Sequence, residues 1–151
     1  MGPIKTASLQ IAFETDGICL QHVDRLEHVI VKLTMDFSRR GNLKITLTSP
    51  SGTESVILDH RPNDDSNEGF SDFEFLTVQF WDEPILWKNW TIKFEDVTGR
   101  GHTGLVNAAE LILYGTSLSR DGHLVLRWFN RRKPPAFFRL NLKKLKRNFF
   151  G

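Results

Sequence analysis

The chain has one cysteine, Cys19, so it can close no disulfide within itself, and its cysteine count says nothing direct about a redox compartment. Its apolar runs are only a few residues long, which leaves no segment able to cross a bilayer as a helix. The N-terminus, Met1-Gly2-Pro3-Ile4-Lys5-Thr6, has no apolar core segment and does not read as a signal peptide. Gly2 and Thr6 fit the loose myristoylation pattern, but Pro3 stiffens the segment that a transferase must thread. The five histidines, His22, His28, His60, His102 and His123, include no pair at ligand spacing, so no zinc site is expected. Before residue 120, no window of a dozen residues carries a helical period.

What is present is strand. Val29, Val31, Leu33, Met35 and Phe37 form a stripe with a period of two, with Lys32, Thr34 and Asp36 facing away. Leu43, Ile45 and Leu47 alternate with Lys44, Thr46 and Thr48, and Trp90, Ile92 and Phe94 alternate with Thr91, Lys93 and Glu95. Ser49-Pro50-Ser51-Gly52 reads as a turn, with Pro fixing φ and Gly supplying a positive φ. Val56-Ile57-Leu58, Phe73 to Val78 and Leu111 to Tyr114 are further short strands, separated by small polar residues and by Gly99, Gly101 and Gly104. Twelve Phe and 40% hydrophobic residues supply a core for one globular domain. Short strands at this spacing predict an all-β sandwich or barrel.

Charge divides the chain. Residues 1–119 carry 10 Lys/Arg against 17 Asp/Glu, whereas residues 120–151 carry 10 Lys/Arg against Asp121 alone. In this basic tail, Lys143-Lys144-Leu145-Lys146-Arg147 lies between Phe137-Phe138 and Phe149-Phe150, and His123 to Phe129 could form a strand or a short helix. Basic residues interleaved with aromatics suit anionic lipid or nucleic acid. The opposing reading is a segment without selected function, from a frameshift, a retained intron or an alternative exon, which the abrupt change of composition favours.

A series of landmarks then recurs in one order. They are Leu26-Glu27-His28-Val29, Arg39-Arg40-Gly41-Asn42-Leu43, Thr48-Ser49-Pro50-Ser51-Gly52-Thr53, Arg61-Pro62-Asn63-Asp64, Glu68-Gly69-Phe70, Trp81-Asp82-Glu83 and Leu113-Tyr114-Gly115-Thr116. With them, the stretch from Leu26 to Thr116 resembles the P domain, or Homo B domain, of kexin- and furin-like proprotein convertases. The resemblance implies a jelly-roll β-sandwich or barrel of galactose-binding-domain-like type. It also implies three parts: residues 1–25 as lead-in strands, 26–119 as the P domain, and 120–151 as a basic tail of uncertain structure outside the match. A Met ahead of mid-domain sequence then reads as a truncated gene model or an expressed fragment.

By the same resemblance the chain does no chemistry and needs no cofactor. Its partner is a subtilisin-like catalytic domain, intramolecular in a parent serine endopeptidase that cuts precursors at paired basic residues in the secretory pathway or outside the cell. Calcium is implied for the parent protease, no nucleic-acid partner is expected, and contact of the tail with a membrane surface is a lesser reading. Gly115-Thr116-Ser117 superficially resembles the family's nucleophile motif, but Leu118-Ser119-Arg120 does not continue it, and no catalytic residue is assigned. Cys19 is either a buried free thiol or, by the resemblance, the partner of a cysteine further upstream.

Three departures from the family pattern matter. Asn42 stands where the family carries the Asp of Arg-Gly-Asp; this removes an adhesion reading, while Asn can still accept the turn's hydrogen bonds. Phe73 and Leu76 replace a Trp and a Met of similar volume. Ala108-Ala109-Glu110 occupies a place where a bulky aromatic is common, which puts the packing of the last strand in doubt.

The candidate sites are few. Asn63, Asp65, Asn67 and Glu74 fall at EF-hand-like positions, but Glu68 takes the turn position that demands Gly, so Asp65, Asn67 and Glu74 are weak calcium candidates beside a solvated acidic loop. Asn89-Trp90-Thr91 is a glycosylation sequon at the start of a strand. Phe73, Phe75, Leu76 and Trp81 are placed at or just behind a surface contacting the protease domain, with ordinary core as the opposing reading, and alternation allows at most two of them in the interface. The alternative function is a free-standing jelly-roll module binding carbohydrate or protein, hinted at by Trp87 beside Trp90.

Overall fold

The computed structural model describes residues 8–13, 25–84, 89–116, 139–141 and 147–149, the last two segments by their backbone alone. Cys19, Trp87 and residues 117–138 lie outside the described residues. Nine strands are described: β1 Ser8–Phe13, β2 Arg25–Phe37, β3 Leu43–Thr48, β4 Glu54–Leu58, β5 Phe70–Thr77, β6 Trp90–Asp96, β7 Gly104–Thr116, β8 Arg139–Asn141 and β9 Arg147–Phe149. The only helical turn among the described residues is 3-10, at Arg40–Asn42.

The strands form two antiparallel sheets, ordered β1-β6-β3-β4 and β5-β2-β7-β8, with β9 also on β7. Neither sheet closes on itself, so the architecture is a jelly-roll sandwich rather than a barrel. The pairs β2–β7 and β3–β6 nest around β4 and β5, as in a long hairpin rolled over. At the fold of that roll β4 and β5 sit on opposite sheets, joined by a buried 2.8 Å hydrogen bond between the Ser55 and Thr77 hydroxyls.

The period-two stripes carry the core. Val29, Val31, Leu33, Met35 and Phe37 are all buried, and they face Leu43, Ile45 and Leu47 together with Trp90, Ile92 and Phe94 from the other sheet. Ile11 and Phe13 extend this core from β1, which pairs with β6 from Ser8↔Glu95 to Phe13↔Trp90. The turn after β3 forms as its residues require: Gly52 sits at φ +92° and its N–H donates to the Ser49 carbonyl at 2.9 Å.

The last strand is much longer than Leu111 to Tyr114, and Gly104 is its first residue rather than a separator. A Cβ at Gly104 would strike the Phe37 ring and the Asp36 carbonyl, so the close pairing of β7 on β2 needs glycine there. Asn107 is the extra residue in a bulge between Thr34↔Ala108 and Met35↔Val106, and its Nδ2 donates to Asp36 Oδ2 at 3.1 Å. Ala109, in the segment where a bulky aromatic is common in the family, is buried opposite Leu33.

β5 also begins earlier than its apolar pattern predicts. Between Leu33↔Phe73 and Met35↔Phe70, β2 advances two residues while β5 advances three. The bulge is held at Asp72, whose φ is +47° and whose N–H donates to Thr34 Oγ1 at 3.0 Å. Asp tolerates this left-handed conformation better than most residues do.

Candidate interaction surface

Two ends of the sandwich differ in chemistry. At one end, two of the recurring landmarks meet. Arg61 N–H donates to the Gly41 carbonyl, Gly41 N–H to the Asp64 carbonyl and Arg40 N–H to the Ser66 carbonyl. A Cβ on Gly41 would be driven into the Arg61 and Asp64 backbone oxygens, so only glycine permits this crossing. Asp64 is the hub: Arg40 grips it with Nε at 2.8 Å and Nη2 at 3.2 Å, Arg61 Nη2 lies 2.9 Å away, and the Ser66 N–H donates at 3.2 Å. The Arg40 fork holds the Asp64 carboxyl below the usual carboxylate range, and in return Arg40 is raised above its ordinary value.

A second carboxylate, the buried Asp96, accepts from the Thr98 N–H and hydroxyl and from the His102 N–H. Asn42 Nδ2 donates to Thr98 Oγ1 at 3.3 Å, a hydrogen bond that an Asp carboxylate could not donate.

Ser38, His102 and Asp96 gather at this end, a grouping that sequence distance hides. Ser38 Oγ lies 3.2 Å from His102 Nδ1, but it also accepts the Thr103 N–H, and Asp96 takes the His102 backbone rather than its ring. The carboxylate therefore does not orient the imidazole, and the group ties loops together instead of forming a catalytic relay.

The acidic stretch expected as a loop from Asn63 to Glu74 is a loop only as far as Gly69, because β5 starts at Phe70. Asp65 pairs with Arg39, Asn67 is exposed, and Glu74 sits on β5 across from Lys32. Asp65 is thus taken by a cation and Glu74 stands on a strand, an arrangement that does not fit a calcium cage. Among the described residues no group of three or more His, Cys, Asp or Glu converges to hold a metal ion.

The apolar surface lies along the β4–β5 edge and the turn that follows it. Trp81 is 65% exposed, Leu76 62%, Val78 59%, Val56 49% and Phe73 48%. Phe75 lies just behind them in the core, its ring 4.7 Å from Phe73 and 5.3 Å from Phe70. Strict alternation would not leave three of the four candidates exposed. The bulge at Asp72 accounts for Phe73, which shares the inner face with Phe70 and Phe75 but sits at the open seam of the sandwich. Leu76, opposite Ile30, points to the outer face.

Trp81 is displayed by a fixed turn rather than a loose one. Its N–H donates to the Val78 carbonyl at 3.1 Å, and the Glu83 N–H donates to Phe80 at 3.2 Å. Asp82, at φ +63°, donates to the Leu26 carbonyl, and the Leu26 N–H donates back to Glu83. The same turn drives Phe80 fully inward, edge-on to the Trp90 ring at 4.9 Å. Because Trp90 is a core residue, it cannot join Trp87 in a pair of exposed aromatics. Asn89, just before it, is exposed.

Fold and surface together define a β-sandwich module that presents a pre-shaped apolar edge. The comparisons give it a family: the proprotein convertase P-domain model matches residues 26–113. The chain belongs to the proprotein convertase P-domain family. It is 42% identical to mouse furin over 96 residues, covering 64% of this chain and 12% of furin. It is 43% identical to the dibasic-processing endoprotease of Schizosaccharomyces pombe over 104 residues, covering 68% of this chain and 14% of that one. The crystal structure of a serine protease of Aeromonas sobria superposes with a TM-score of 0.50 at 16% identity, covering 98% of this chain and 23% of that chain. The chain thus spans about one-eighth of the length of these curated relatives, and the structural likeness speaks for the fold.

Proposed function

We propose that this chain is the non-catalytic brace of a subtilisin-like proprotein convertase, a serine endopeptidase that cleaves precursors at paired basic residues in the secretory pathway. The observation that carries the reading is the strip of Trp81, Val78, Leu76 and Phe73, displayed on fixed backbone by a member of the P-domain family. A catalytic domain left with a wet apolar patch loses about 25 cal/mol for every Å² uncovered. Covering it over a standard interface of roughly 800 Å² per partner supplies enough to decide whether a marginally stable domain stays folded. Trp81 is the anchor, because a rigidly held aromatic binds with little ordering cost.

Replacing the P domain of a furin-like convertase with this chain tests the idea, read out as conversion of the precursor to the mature, secreted protease. The graft is expected to mature, and Trp81→Ala in it is expected to abolish most maturation. Equal maturation with and without Trp81, or none from a graft that is folded, overturns the proposal.

A further inference from the structure

We propose that Asn89 carries an N-linked oligosaccharide. Asn89-Trp90-Thr91 is the chain's single sequon. The structure separates its three residues in the way the modification needs: Asn89 is exposed, just outside the strand, Trp90 points into the core, and Thr91 is on β6 opposite Ala12. A bulky hydrophilic group on Asn89 therefore projects into solvent without disturbing the Phe80–Trp90 contact.

In the reaction, the Asn89 amide nitrogen attacks the anomeric carbon of an oligosaccharide carried on a polyprenyl diphosphate. The sugar–diphosphate C–O bond breaks, the diphosphate departs with the electron pair, and the amide loses a proton.

This inference rests on the secretory reading, and the test separates the two by forcing entry. The full chain is expressed in cultured eukaryotic cells behind a heterologous signal peptide, and both medium and lysate are probed before and after peptide N-glycosidase. The expected result is a shifted band that collapses on digestion, is absent in Asn89→Gln and Thr91→Ala, and persists in Thr91→Ser. An unshifted wild-type band in both fractions, or a shift that survives Asn89→Gln, overturns the site while leaving the bracing role untouched.

Discussion

The loop end of this sandwich and its β4–β5 edge are built from opposite materials. At the loop end, Arg40, Arg61 and Ser66 converge on Asp64, while Thr98 and His102 converge on Asp96. At the edge, Trp81, Leu76 and Val78 face water, and the Ser55–Thr77 hydroxyl pair joins the two sheets. Satisfied polar networks fix one geometry. Exposed apolar surface of this kind is where the proposed docking of a catalytic domain would fall. The lesson is a division of labour, in which one region holds the shape and the other offers it.

Mutations can break or sharpen that contrast, and the adjacent pair Phe80 and Trp81 gives its strongest form. Phe80→Ala removes a fully buried ring and is expected to cost about 3–5 kcal/mol in urea unfolding. Gly41→Ala comes next, at about 3 kcal/mol, since the new methyl must displace the Arg61 and Asp64 carbonyls. A midpoint equal to wild type for either would mean that the packing or the crossing is misplaced.

Trp81→Ala is expected to weaken association with a catalytic domain by about 2 kcal/mol, roughly thirty-fold. The same change should move the unfolding free energy by less than about 0.5 kcal/mol, as for other surface positions. A large loss of stability instead would assign Trp81 to the fold.

The smallest effect is one of pH. Asp64 has a lowered folded-state pKa, so the stability it contributes is present above its unfolded value, about 4, and is lost as pH falls through the depressed value. The raised Arg40 value acts only in strong base, beyond the useful range. Asp64→Asn should therefore be less stable than wild type at neutral pH, and the gap should close as acid is added. A gap that stays constant down to pH 2 would show that the charge contributes nothing.

Much of this was legible in the sequence, for a physical reason. β2, β3 and β6 each bury one face, so their alternation fixed the strands, their inward residues and the turn at Gly52. The landmarks gave the family, since Gly41, Arg61 and Asp64 serve a single crossing and must occur together. What escaped was set by partners distant in the chain. Gly104 to Ala109 contains residues that strands disfavour, and pairing with partners distant in the chain, β2 above all, makes them strand. The bulges at Asp72 and Asn107 each insert a residue that no local pattern announces, and the first left Phe73 at the seam. Phe80 was missed because it lies in a turn, where periodicity has no meaning. Asp82 carried the one available signal, a residue able to take a left-handed turn and so to send its two neighbours in different directions.

That turn has a consequence for how such a module can change over generations. Residues 80 and 81 are joined by one peptide bond, yet one faces the interior and the other the outside world. If the proposed docking holds, drift at the outward position, and at Val78 and Leu76 near it, would retune which companion is recognised while selection on the inward ring keeps the architecture intact. A lineage can therefore swap companions without ever passing through an unfolded ancestor.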